Sequence, residues 1–334
     1  MRLPEVKNDP RKVQLARIAY VHFEHPDLDR FCKFAYDFGF VEERRTSDRV
    51  YFRGYGKDPY VYVASQSKDG VPRFLGPAFV AASSAEFEKA ARIDGATRGS
   101  LKDTPGGGEI VTFRRVDDTY FHVVFGQTER ETGPTEPTAT HEQQGPFNKP
   151  FEKPRLGRFQ RYHPGPALVH KLGHFGYACP SFDTEFAWYT ENFNFVPSDV
   201  LYHWDFSNMD VLTFMHLDLG EEYSDHHCFF MQRAEPNVKK TYVHHTSFEV
   251  ADFDTQLIAH DWLAKKGWKS VWGVGRHVLG SQIFDYWGDP SGFKIEHYAD
   301  GDLVNTHTKT SRDVVGPFSV WGPEVPKDFG GKGV

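Results

Sequence analysis

Ala167-Leu168-Val169-His170-Lys171-Leu172-Gly173-His174-Phe175-Gly176-Tyr177-Ala178-Cys179 is an extended, largely apolar run, and residues 183–192 follow it with helical spacing, Phe186, Tyr189 and Phe193 falling on one side. Short strand-like runs come next near 195–203, 210–218 and 227–232. The same order then restarts: an extended run over 241–250, and a helix over 254–266 with Leu257, Ile258 and Leu263 as its apolar stripe. Strands near 270–274, 281–287 and 292–297 complete it. The first half carries a weaker copy. Its first unit has a strand over 14–23, a helix over 27–38 and strands near 41–46, 50–52 and 61–64. Its second has a strand at 79–82, a helix at 84–93 and strands near 109–115 and 119–125. Four βαβββ units predict an α+β fold built by internal repetition.

Between the halves, 128–166 carries Pro134, Pro137, Pro146, Pro150, Pro154, Pro164 and Pro166 among polar residues and reads as an irregular connection. The expected division is therefore 1–127, a connection over 128–166, a second domain over 167–321, and an irregular tail over 322–334. A length of 334 residues suits two domains. The apolar fraction of 39% is enough for a buried core. Lys+Arg 39 against Asp+Glu 46 leaves a net charge of −7, which gives no overall field to hold a phosphate backbone, so no nucleic-acid partner is expected. No apolar run is long enough to cross a bilayer, and no membrane association is expected. Cys32, Cys179 and Cys228 are the only cysteines, a sparse odd set that fits a reducing, cytoplasmic setting without disulfides. The excesses are 30 Phe and 17 His.

Some of those histidines carry chemistry. His174 lies in the opening strand of the third unit, His244-His245 in that of the fourth, and Glu296 in the last strand, each among apolar neighbours. An ionised Glu296 beside Phe293 and Ile295 is costly to bury unless it is paired or coordinated. Two neutral imidazoles and one carboxylate form the facial triad of non-haem Fe(II) oxygen chemistry, with positions left open. A lone strand histidine is more often structural; three such segments at equivalent unit positions are not the ordinary case. Adjacent strand side chains face opposite ways, so only one of His244 and His245 is expected to face a shared centre, and His170 is not expected to be a ligand.

These segments resemble the type I extradiol ring-cleavage dioxygenases of the vicinal oxygen chelate superfamily, the group of 2,3-dihydroxybiphenyl and catechol 2,3-dioxygenases. Leu172-Gly173-His174 is similar to the family's first ligand strand, His244-His245 with Phe248-Glu249-Val250 to the second, and Pro290-Ser291-Gly292 followed by Glu296 to the third. The resemblance implies the metal ligands His174, His245 and Glu296, the second histidine of the pair being the one that binds. It further implies His227 of Asp225-His226-His227-Cys228-Phe229, on a strand, as the acid–base residue. His277 of Gly275-Arg276-His277 is implied to touch the substrate, and Tyr286, ten positions before Glu296, to hydrogen-bond a catechol oxygen. It covers roughly 168–301. The implied fold is a pair of βαβββ modules per domain, each forming a partly open mixed β-barrel.

The implied activity is Fe(II)-dependent extradiol cleavage of a catechol with O2, Mn(II) being the alternative ion. The rival activities are a glyoxalase-like metal-dependent isomerase or lyase, and a non-catalytic aromatic-binding protein. A homo-oligomer is the default assembly. In the first half, Tyr20 aligns with His174, Gly76 falls near the second ligand position and Val124 near the third, so that half is expected to hold no metal. Gly106-Gly107-Gly108 lacks the Lys-Ser/Thr of a phosphate loop, and Gly273-x-Gly275 opens no helix, so neither signals a nucleotide. Cys179 and Cys228, read as strand residues, are expected to be buried inert thiols.

Overall fold

A computed structural model of the chain describes residues 1–133, 141–143 and 145–330; 134–140 and 144 of the expected connection and 331–334 of the expected tail lie outside the described residues. The first unit is β1 (Leu15–His25), α1 (Leu28–Phe38), β2 (Val41–Arg45), β3 (Arg49–Arg53) and β4 (Tyr62–Gln66). The second is β5 (Arg73–Ala81), α2 (Ser84–Ala90), β6 (Ala96–Ser100), β7 (Glu109–Arg114) and β8 (Tyr120–Phe125). A short ribbon, β9 (His141–Gln143) and β10 (Arg161–Tyr162), lies between the halves.

The third unit is β11 (Leu172–Cys179), α3 (Phe182–Asn192), β12 (Phe195–His203), β13 (Phe206–Leu217), the two-residue β14 (Ser224–Asp225) and β15 (Phe229–Arg233). The fourth is β16 (Tyr242–Glu249), α4 (Phe253–Lys265), β17 (Lys269–His277), β18 (Ile283–Gly288) and β19 (Lys294–Ala299). After them come β20 (Leu303–Val304), which pairs with β14, then β21 (Ser311–Val314) and β22 (Ser319–Trp321).

Eight strands form a mixed sheet in the order β2-β3-β4-β1-β5-β8-β7-β6, and ten form the second, β21-β12-β13-β15-β11-β16-β19-β18-β17-β22. The opening strands of paired units meet antiparallel at the middle of each sheet: β1 on β5, and β11 on β16. Each is flanked by a parallel closing strand, β4 and β8 in the first sheet and β15 and β19 in the second. That topology brings three strands of the second sheet, β11, β16 and β19, side by side.

The helices start where their caps lie: Asp27 accepts from the Arg30 amide and Asp252 from the Thr255 amide, each satisfying one orphan N–H. α1 stops at Gly39 (φ 109°), a left-handed position where a Cβ would come within 1.6 Å of the Ala167 carbonyl oxygen. Only glycine fits this C-cap, because chain 39 and chain 167 are in contact there. The phenylalanines form a core continuous across both sheets. Phe79 meets Phe195 at 5.3 Å between ring centroids, and Phe40 meets Phe248 at 4.8 Å.

A polar knot ties the β18–β19 turn to the first sheet. Buried His25 has Nδ1 2.8 Å from Ser291 Oγ and Nε2 3.0 Å from the Tyr62 hydroxyl. Asp289 beside it accepts from the amides of Ser291 and Phe293. Burial pushes the Asp289 carboxyl up to about 7 against those amide bonds. The folded chain therefore holds a proton that the unfolded chain loses near pH 4, so this residue's contribution to stability falls as pH rises from about 4 to about 7. Asp289→Asn is expected to match wild type at pH 4 and to exceed it at pH 8 by at most about 4 kcal/mol. Paired urea melts at the two pH values check this; a stability difference independent of pH contradicts it.

Candidate metal centre

His174 comes from β11, His245 from β16 and Glu296 from β19, the three adjacent central strands. Register does the rest: His174 pairs opposite Ser247, and Ser247 opposite Glu296. The ligand atoms converge. His174 Nε2 lies 3.0 Å from His245 Nε2 and 3.2 Å from Glu296 Oε2, and His245 Nε2 lies 3.4 Å from the same oxygen. All three residues are buried, Glu296 completely. Glycines make room for this: a Cβ on Gly176 would sit 2.0 Å from the Phe230 ring, and one on Gly173 would sit 2.2 Å from the Tyr298 ring.

Neither Glu296 oxygen has a hydrogen-bond partner of good geometry. Burial pushes this carboxyl up, but the close His174 and His245 imidazoles outweigh it and hold it well below the carboxylate range. Burial pushes His245 down to about 4 against the pull of Glu296. An ionised carboxylate and a neutral imidazole are the protonation states a cation needs. Donors bonded at about 2.1 Å and at right angles stand about 3.0 Å apart, so spacings of 3.0, 3.2 and 3.4 Å suit one face of a metal's coordination shell. The residues fit a divalent ion. Among the described residues this is the one such cluster of His, Cys, Asp and Glu.

The three other expected residues surround it. Tyr286 on β18 pairs directly opposite Glu296. Its hydroxyl lies 2.9 Å from His277 Nε2, while His277 Nδ1 lies 2.9 Å from the Phe318 carbonyl oxygen. A carbonyl only accepts, so Nδ1 carries the proton and Nε2 accepts from the tyrosine. Burial raises the Tyr286 phenol well above its usual range, with Glu296 adding to the effect, and lowers His277 against the pull of Glu296. The His227 ring stands 4.2 Å from that of His174, centroid to centroid. Burial, then the neighbouring imidazoles, holds it well below the ordinary histidine range.

Three expectations need correction. His227 and Cys228 are not on a strand: they occupy the bend before β15. His244 does not face away from His245. A bulge lets the β11 pair Gly176–Tyr177 face His245 and Val243, leaving His244 as the extra residue, and its Nδ1 lies 2.8 Å from His245 Nδ1. The first-half counterpart of Glu296 is His122 rather than Val124, since Tyr20 pairs with Ala78 and Ala78 with His122. His122 is occupied, with Nδ1 on Thr112 Oγ1 and Nε2 on the Leu75 carbonyl.

The described part of the tail, 322–330, is irregular as expected, but its place over the site was not foreseen. Residues 319–321 add β22 to the sheet edge, and the chain then crosses the site. Trp272 Nε1 donates to the Pro323 carbonyl, Lys294 Nζ to that of Phe329, and the Tyr242 hydroxyl to that of Gly330. The Phe329 ring lies 4.9 Å from Tyr286, 4.8 Å from Trp272 and 5.2 Å from His244. Sequence reasoning missed this wall, whose sole signal is one aromatic residue in a glycine-rich end.

Residues 171–297 match the family model of the glyoxalase/bleomycin resistance protein/dioxygenase superfamily, a span holding all six site residues. Metapyrocatechase 2 of Cupriavidus necator is 35% identical over 123 residues, which are 36% of this chain and 36% of that relative. The match therefore spans about a third of the relative's length. Homoprotocatechuate 2,3-dioxygenase from Arthrobacter globiformis has the same fold, with a TM-score of 0.75, 17% identity and coverage of 98% of this chain and 95% of that one. So has the Mn(II)-bound glyoxalase from Novosphingobium aromaticivorans, with a TM-score of 0.74, 19% identity and 94% of each chain covered. The matched span thus stands in a two-sheet fold shared by a dioxygenase and a glyoxalase. No helix among the described residues is long and apolar enough to cross a membrane.

Proposed function

We propose that this chain is an extradiol dioxygenase that opens a catechol ring with O2, using a divalent metal, iron(II), held by His174, His245 and Glu296. The observation that carries the reading is the second set of groups around the triad: Tyr286 on His277, and His227 against His174. A metal ion there would supply Lewis acidity and the contact at which the diol and oxygen meet. The protein supplies the rest. Tyr286, held by His277 Nε2, aims its hydroxyl into the site and fixes one diol oxygen. His227, neutral and buried, takes a diol proton and later returns it to the opened product. Phe329, Trp272 and Phe230 give an aromatic enclosure for the ring and exclude water. The first sheet serves as a non-catalytic scaffold, since Tyr20, Gly76 and His122 offer no ligand set, and the domain division at 127 and 167 follows from this.

Phe329→Ala is expected to leave metal content unchanged and to raise KM for the diol about tenfold, as the loss of one buried aromatic contact implies. An unchanged KM would show that the tail does not wall the site. The glyoxalase fold match supports a second reading, a metal-dependent isomerase on the same triad. An oxygen electrode with the Fe(II)-loaded protein and a panel of catechols separates the two: oxygen uptake with ring-opened product supports the dioxygenase, and turnover of a thiol adduct without oxygen supports the rival.

A further inference from the structure

Behind His227 stands a second histidine with a carboxylate of its own. His226 Nδ1 lies 3.1 Å from His227 Nδ1, and His226 Nε2 lies 2.7 Å from Asp199 Oδ2. The other Asp199 oxygen accepts from the Ser311 hydroxyl, in a pairing fixed by the register of β12 on β21. All three members of the chain are buried. The backbone pins His226 at both ends, its amide donating to the Asp302 carbonyl and its carbonyl accepting from Ser198 Oγ. Gly280 presses on the ring: a Cβ there would lie 2.8 Å from His226 Nδ1, the nitrogen that faces His227.

This order of donors and acceptors admits one neutral arrangement. Asp199 Oδ2 stands 2.7 Å from His226 Nε2 as an ion-pair contact and not an aligned hydrogen bond, and a carboxylate that close repels a bare nitrogen, so His226 carries its proton on Nε2 and leaves Nδ1 bare. His227 must then carry its proton on Nδ1, which leaves its Nε2 bare.

We propose that Asp199 and His226 are positioning residues that complete a proton relay with His227, a proposal that rests on the dioxygenase reading of the same site. When His227 Nε2 takes the diol proton, its Nδ1–H bond breaks and that proton passes to His226 Nδ1. His227 ends neutral, and the charge rests on a His226 imidazolium beside the Asp199 carboxylate. The reverse shift returns the proton to the ring-opened product, so no proton or electron is gained or lost over the cycle. The relay keeps a positive charge off the ring nearest the metal ligands and stores it beside a carboxylate.

The test combines one spectroscopic and one kinetic measurement. Long-range 15N spectra of the metal-free protein, with His227→Phe to identify the resonance, report which His227 nitrogen is protonated. The expected state is Nδ1–H in wild type, shifting toward Nε2–H in Asp199→Asn. In the Fe(II)-loaded enzyme, Asp199→Asn and His226→Gln are expected to lower kcat about ten- to a hundredfold with diol affinity and metal content unchanged, as outer-shell substitutions do. His227 protonated on Nε2 in wild type overturns the relay, and so does a wild-type kcat in both variants. The wild-type spectrum needs no variant other than His227→Phe, so misfolding of Asp199→Asn leaves the question decided. A wild type that consumes no oxygen yet shows the Nδ1–H tautomer would defeat the dioxygenase reading and leave the Asp199–His226–His227 arrangement standing.

Discussion

Glu296→Ala is expected to purify without bound metal and with no measurable turnover, while the metal-free protein keeps its fold. The two halves of this result have one cause. Glu296 is the single charge in the centre, fully buried, with both oxygens lacking hydrogen-bond partners of good geometry. Without a cation, that charge is held by His174 and His245 at 3.2 and 3.4 Å, whose pull outweighs the cost of burial. Alanine removes the charge and its burial cost together, along with the negative ligand that makes a dication welcome. Metal added to wild type is therefore expected to raise Tm, as any ligand specific to the folded state does, and to leave the Tm of Glu296→Ala where it was. Metal analysis and paired melts on one preparation measure both. Stoichiometric metal in the variant would show that the carboxylate is not a ligand.

His227→Phe is the complementary case. The ring is buried in an aromatic setting, 5.0 Å from Phe214 and 4.2 Å from His174 between centroids, so phenylalanine occupies a similar volume there. The triad does not include it, and in the proposed function Tyr286 and His277 hold the diol without it. Metal content and diol affinity should accordingly stay near wild type, whereas turnover should fall by roughly two to four orders of magnitude, the usual contribution of a positioned acid–base group. Oxygen consumed without ring opening is an expected side effect, because the proton needed by the product is missing. Near-normal turnover would remove His227 from the chemistry, and loss of metal would make it a ligand.

Much of the centre was readable before any coordinates, because the family resemblance implied its residues, and strand order and register explain why they meet. Once β11, β16 and β19 are recognised as neighbours, His174, His245 and Glu296 must meet, and Tyr286 ten positions before Glu296 must lie across a hairpin from it. What could not be read depends on departures from regular pairing. Only His245 of the pair enters the cluster, as expected, but His244 stays beside it through one inserted residue in β16, where alternation along a strand predicts the opposite face. His226 and His227 share a bend in which adjacent rings approach each other, a geometry a strand forbids. In the first half, counting along the sequence pointed to Val124, whereas the ladder through Ala78 selects His122, two residues earlier. The tail carries no periodicity at all. Its place over the site comes from single contacts of Trp272, Lys294 and Tyr242 with backbone carbonyls, which leave no mark on the tail's own residues.

The central claim is that these residues open an aromatic diol with both atoms of one oxygen molecule. Turnover of the Fe(II)-loaded protein under 18O2, with prompt mass analysis of the product, tests it most directly. The account predicts a ring-opened product that contains both labelled oxygen atoms, formed with one O2 consumed per diol. A product formed without label, or formed equally well in the absence of oxygen, would contradict it.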